Sequence, residues 1–203
     1  MKEKIVLKSA NKEEYGDLVI ECKVIPNDKI GEYLQSIPEE RKFKAYKSGE
    51  VIIREGKIGE KIKTTLTTIV DGREYILSEE EGEVKERIVT IEGKEVLLSD
   101  CVVTNISSTS NEEYIVKRSK VDSTYEFLTQ TDYGYVFLPK YDLRELTQVD
   151  ENIIIVTAWG SKAVCLKGGY IVTYNALEND YNVIEKGAFD STYTKEETPI
   201  NRK

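Results

Sequence analysis

The side chains able to do chemistry are unevenly spread. Residues 41 to 63 hold Arg41, Lys42, Lys44, Lys47, Arg54, Lys57, Lys61 and Lys63 against Glu50, Glu55 and Glu60, a net of +5 in a chain whose formal charge is -8. Several ammonium and guanidinium groups converging on one face can offset the desolvation of a phosphate, so the stretch is a candidate pocket for a small anionic ligand. The plainer reading is a pair of strands whose edges are guarded by solvated lysines. Trp159, the only tryptophan, sits in Ala-Trp-Gly-Ser-Lys before a glycine turn, with Ser161 and Lys162 beside it. It either stacks on a base or a partner's apolar anchor, or seals the end of a sheet. Arg41, Lys42, Lys44, Lys47, Arg54, Lys94, Arg118, Trp159 and Lys162 are therefore the candidate ligand-binding residues.

Other chemistries are excluded or unsupported. The chain has no histidine, which removes the usual general base near neutral pH, the commonest zinc and haem ligand and every Ser-His or Cys-His pair. Cys22, Cys101 and Cys165 are odd in number, far apart and without CxxC spacing, so buried free thiols in a cytosolic protein are expected instead of disulfides or a metal site. Glu79, Glu80, Glu81, Glu83 and Glu86 form an acidic run that reads as a solvated loop. Neither the polar loop Ser107 to Asn111 nor Gly168-Gly169 has the spacing of a phosphate-cradling loop. The expectation is a non-enzymatic protein without cofactor or metal. An acidic balance, with a pI near 4.9, has the wrong sign for bulk nucleic acid. No apolar run approaches the roughly 18 residues of a membrane span, and the N-terminus lacks a signal-peptide core. The reading is cytoplasmic, the host cytoplasm if a phage encodes the chain.

The elements that must position these groups are mostly short strands. With 203 residues and 39% apolar side chains, the chain is long enough for one large or two small domains. Residues 17 to 24, 61 to 70 and 114 to 117 alternate apolar and polar, and Asp71-Gly72 is a strong hairpin signal because that pair tolerates positive φ. Asn27 or Asp28 caps a short helix through Ile30, Tyr33 and Leu34 that Pro38 ends. Residues 141 to 146 read as another helical turn or two, and residues 194 to 203 as a polar tail without order.

A self-comparison reveals an internal repeat. Residues 86 to 126 lie over residues 153 to 194 at an offset of about 67 to 69. Val89-Thr90 matches Val156-Thr157, Lys94 and Val96 match Lys162 and Val164, and Val103-Thr104 matches Val172-Thr173. Tyr114 and Val116 match Tyr181 and Val183, and the tetrapeptide Asp122 to Tyr125 matches Asp190 to Tyr193. Retained alternate apolar positions are what a duplicated folding unit needs to rebuild one core twice. The Asp-Ser-Thr-Tyr segment reads as a helical turn with Asp as its cap, anchored by Val121 in one copy and Phe189 in the other. The expected fold is mainly β, a β-rich α+β chain with two tandem small β modules and an N-terminal α+β lobe. Its expected divisions are a strand-helix-strand lobe at 1–59, module copies at 60–127 and 128–195, and a tail at 196–203.

The second copy resembles a small module of phage and prophage proteins named after the motif PGDYG. The resemblance rests on Leu166-Lys167-Gly168-Gly169-Tyr170-Ile171-Val172, on Tyr181-Asn182-Val183 and on Phe189-Asp190-Ser191-Thr192-Tyr193, over about 40 residues. Lys167 replaces the proline and Gly169 the aspartate, and the first copy has Ser99-Asp100-Cys101. The resemblance implies phage lineage and a shared β fold; it carries no catalytic residues and no agreed activity. It favours a protein acting by sequestration, holding a small anionic, nucleotide-like ligand such as a signal of host immunity. The alternatives are an inhibitor docking on a host protein, or a virion or assembly accessory forming a homo-oligomer.

Overall fold

A computed structural model describes residues 1–107 and 112–197. The chain is mainly β. In order it forms β1 (Lys2–Ser9), β2 (Leu18–Ile25), a 3-10 turn (Asn27–Lys29), α1 (Ile30–Ser36), a second such turn (Glu39–Arg41), β3 (Lys42–Lys47), β4 (Val51–Glu55), β5 (Lys61–Val70) and β6 (Arg73–Glu83). There follow β7 (Glu86–Ile91), β8 (Lys94–Ser99), β9 (Cys101–Asn105), β10 (Glu113–Val116), α2 (Arg118–Thr124), β11 (Tyr125–Thr131) and β12 (Gly134–Pro139). The rest comprises β13 (Arg144–Gln148), β14 (Ile153–Val156), β15 (Lys162–Cys165), β16 (Tyr170–Asn175), a third 3-10 turn (Ala176–Glu178), β17 (Asp180–Ile184), α3 (Lys186–Thr192) and β18 (Tyr193–Lys195).

The chain divides into two compact units, each built from separated segments. Unit 1 comprises residues 1–46, 68–75 and 142–203, and unit 2 comprises 47–67 and 76–141. The sequence blocks 1–59, 60–127 and 128–195 do not coincide with these units, because strand pairing draws segments from different blocks into one sheet. Unit 1 contains the five-stranded sheet β17-β16-β13-β3-β18. It also holds most of a six-stranded sheet, β15-β14-β2-β1-β6-β5, in which β14 pairs in parallel with β2. Helix α1 buries Ile30 and Tyr33 against Ile153, Ile155, Ile171 and Tyr181. Unit 2 contains the five-stranded sheet β10-β9-β4-β12-β11 and the two-stranded ribbon β7-β8.

The two five-stranded sheets follow one plan. Each copy of the repeat supplies a hairpin, two paired strands, a seven-residue helix and a last strand, in that order. The paired strands take the first two places of the sheet and the last strand the far edge. The fourth place, however, goes to β3 in unit 1 and to β12 in unit 2. One comes from upstream of the first copy and the other from between the copies, a pairing that local sequence does not encode.

Local signals succeed where turn chemistry decides. Asp71 (φ 50°) and Gly72 (φ 75°) form the hairpin turn between β5 and β6, and Glu92 (φ 49°) with Gly93 (φ 77°) does the same between β7 and β8. Helix α1 ends at Ser36, and Ile37 is extended before Pro38. Other expectations need correction. Residues 144–146 are strand, since Arg144 to Thr147 pair with β3. Asp122 and Asp190 lie inside their helices; the cap of α3 is Glu185, whose side chain accepts from Ala188 N at 2.8 Å. Asn27 does not cap α1; its Nδ2 donates to Val156 O and Asn179 O. Glu79, Glu80, Glu81 and Glu83 belong to β6, not to a loop. Thr194 and Lys195 extend β18, and residues 198–203 lie outside the described ones, as do Ser108 to Asn111 of the polar loop.

Candidate functional site

The basic stretch does not converge. Arg41, Lys42 and Lys44 fall in unit 1, whereas Lys47, Arg54, Lys57, Lys61 and Lys63 fall in unit 2. Within unit 2 the period of two points successive side chains to opposite faces, and carboxylates neutralise most of the cations. Lys61 pairs with Glu81 and Lys63 with Glu79. Arg54 forks onto Glu60, with contacts of 2.6 and 3.0 Å. Lys47 lies over the Tyr114 ring at 5.6 Å, and burial pulls its ammonium below the usual range, opposed by Glu112. Lys94 starts β8 beside the ribbon turn and is exposed. Lys162 pairs with Glu3 at 2.7 Å. Trp159, 63% exposed in the β14–β15 turn, belongs to no core cluster, so it does not seal the sheet.

Unit 1 does bring two of the candidates together. A cavity of about 510 Å³ lies where α1 crosses the five-stranded sheet, lined by Gly31, Leu34 and Gln35 from the helix and by Lys42, Lys44, Glu145, Thr147, Thr173 and Tyr181 from the strands. The alternation of β3 places Lys42 and Lys44 on one face, with the buried Ala45 on the other side in the α3 cluster. In register, Lys42 faces Thr147 and Lys44 faces Glu145. Lys42 Nζ pairs with Glu39 at 2.6 Å, and Arg41 just outside pairs with Asp150 at 3.3 Å. Among the described residues Lys44 has no carboxylate within 4 Å. The groove thus offers two ammonium groups, two threonine hydroxyls and the Gln35 amide beside an apolar wall, together with the carboxylates of Glu39 and Glu145.

A second cavity, of about 460 Å³, opens in unit 2 between its sheet and α2, among Ile53, Cys101, Arg118, Val121, Tyr135 and Phe137. Arg118 opens α2; its Nη1 is 3.3 Å from Glu55 Oε1 and 3.6 Å from Cys101 Sγ. Sequence reasoning named Arg118 but missed the cavity, whose shape depends on strands brought together from distant segments.

All three cysteines are free and buried. Burial raises the thiol of Cys22 and pushes that of Cys165 up to about 12, the wrong direction for a nucleophile. Among the described residues no cluster of acidic and cysteine side chains could hold a metal ion, and no helix is long and apolar enough to cross a membrane. Comparisons of the chain with protein-family models, with curated proteins and with solved structures returned no match.

Proposed function

We propose that the chain is a non-enzymatic binding protein that holds a small phosphate-bearing anion in the groove between α1 and the five-stranded sheet of unit 1. The observation that carries this reading is the placement of Lys42 and Lys44 on one sheet face, inside a cavity that also offers Thr147 and Thr173. The Lys42–Glu39 pair is exposed on its acidic side, and such pairs are worth about 0–1 kcal/mol, so exchange of that carboxylate for a phosphate costs little. Charge-assisted hydrogen bonds from two ammonium groups would then favour the phosphate, opposed by the Glu145 carboxylate across from Lys44. The expected ligand is nucleotide-like. Given the phage-type resemblance of the second copy, a nucleotide signal of host immunity is the first to try.

The test is titration calorimetry with a panel of linear and cyclic nucleotides, followed by heating and analysis of what is released. Saturable binding, loss of it in the K42E/K44E double variant, and release of the nucleotide unchanged would support sequestration. Absence of binding across the panel, or release of an altered product, would overturn it.

One observation favours a protein partner as the second reading. On the β7-β8 ribbon Ile88 and Leu97 stand directly opposite each other, 65% and 61% exposed. Two-stranded ribbons are marginal in water by themselves, and a partner covering this pair would remove its apolar surface from water. Capture of a host factor that I88E releases would move the function to this ribbon.

A further inference from the structure

The cavity of unit 2 stands where unit 1 has aromatic rings. Register fixes the correspondence: Ile53 pairs with Val103 as Leu146 pairs with Val172, and Glu55 pairs with Cys101 as Gln148 pairs with Tyr170. Cys101 therefore takes the place of Tyr170, and the helix anchors place Val121 against Phe189. In unit 1 the rings of Tyr170 and Phe189 lie 4.2 Å apart, and Phe43 meets each of them edge-on at 5.6 Å. In unit 2 both members of the central pair are small. Phe137 stands at the place of Ala45 and Tyr135 at that of Phe43. Cys101 and Val121 are 1% and 7% exposed, and beside them opens a groove of about 460 Å³ lined by Val121, Tyr135, Phe137 and Arg118, with Glu55 and Asp122 also in its wall.

The mouth of this cavity is charged. The guanidinium of Arg118 reaches the Cys101 sulfur and shares an exposed pair with Glu55, whose side chain is 71% accessible. Such a pair is weak and exchangeable. A planar fork of donors beside a ring-sized apolar space matches a carboxylate attached to an aromatic ring.

We infer that unit 2 carries a second ligand site, distinct from the lysine groove, which takes a small aromatic carboxylate with its ring in the groove against Val121, Tyr135 and Phe137 and its carboxylate on Arg118. The ring lies over the apolar wall of the groove, and the carboxylate displaces Glu55.

Phenylacetate is the probe, titrated against the full chain by NMR, with benzyl alcohol as the neutral control of similar shape. The expected result is saturable shifts of the Tyr135 and Phe137 ring signals, with benzyl alcohol at least about tenfold weaker, since hydrogen bonds to charged groups carry that much. R118Q should weaken phenylacetate by about tenfold, and V121F, which supplies the ring of the other unit, should abolish binding while raising the melting temperature. No saturable shift, equal affinity for the alcohol, or undiminished binding in V121F would overturn the site. If V121F fails to fold, R118Q together with contacts between the phenylacetate ring and Tyr135 in the unaltered protein decides the matter: retained affinity or absent contacts would overturn it.

Discussion

Arg54 holds both carboxylate oxygens of Glu60, Nη2 to Oε1 at 2.6 Å and Nη1 to Oε2 at 3.0 Å. The backbone N–H of Lys57 donates to the same carboxylate at 3.0 Å. The Arg54 hydrogen bond first, and the Lys57 amide next, hold the Glu60 carboxyl well below its ordinary value, at about 2. Arg54 is thus committed to a loop clamp.

The clamp has a pH signature. The folded value lies below the ordinary 4.5, so the contribution of Glu60 is complete above about 4.5 and is lost as pH falls toward about 2. Urea midpoints measured across that interval should fall for the native chain, and E60Q should flatten the part of the fall that Glu60 causes. An identical acid limb in E60Q would count against the clamp.

The lysine groove makes a sharper demand. K44E should weaken a bound nucleotide by at least about tenfold, a value typical of one charge-assisted contact, while leaving the melting temperature within about 2 °C because the side chain is exposed. K94E, on the ribbon turn of unit 2, should leave the affinity unchanged. Calorimetry and thermal unfolding on the same samples separate the two effects.

Asp100 is 1% exposed and accepts from Arg87 Nε at 2.8 Å and from Lys85 N at 3.1 Å, tying β7 to the start of β9. D100A removes both acceptors and leaves the Lys85 amide and the Arg87 guanidinium without this carboxylate. The expected loss is about 1–3 kcal/mol in denaturant unfolding, with amide exchange accelerated first at Lys85 and Arg87.

The anchor of α1 should be more costly. Ile30 is fully buried among Ile25, Ile155 and Tyr181, so I30A should lose about 2–5 kcal/mol through the cavity it leaves. Since α1 forms one wall of the lysine groove, ligand affinity should fall with it.

Trp159 reports on its own exposure. Its emission should be red-shifted and quenched by iodide, and W159A should change stability by less than about 0.5 kcal/mol, as surface substitutions do. A blue-shifted emission would show that the ring is covered in solution.

By itself the sequence determined what short-range chemistry controls. The Asp71-Gly72 turn, the stop of α1 before Pro38, the alternation of β5, and the common order of elements in residues 86–126 and 153–194 all follow from φ preferences and period-two burial. The absence of histidine constrained the chemistry in the same direct way. Tertiary structure decided the rest. Residues 144–148 became a strand because β3 and β16 offered their hydrogen bonds on both sides, overriding weak local propensity. The basic stretch scattered because β3 and β4, four residues apart in sequence, entered different sheets. Likewise, Arg118 gained a cavity only because β12 came to lie against β4, and Cys101 and Val121 proved small only beside the rings of the other sheet. Strand pairing over long separations is a matter of which edges find each other, and no local run of residues carries that information.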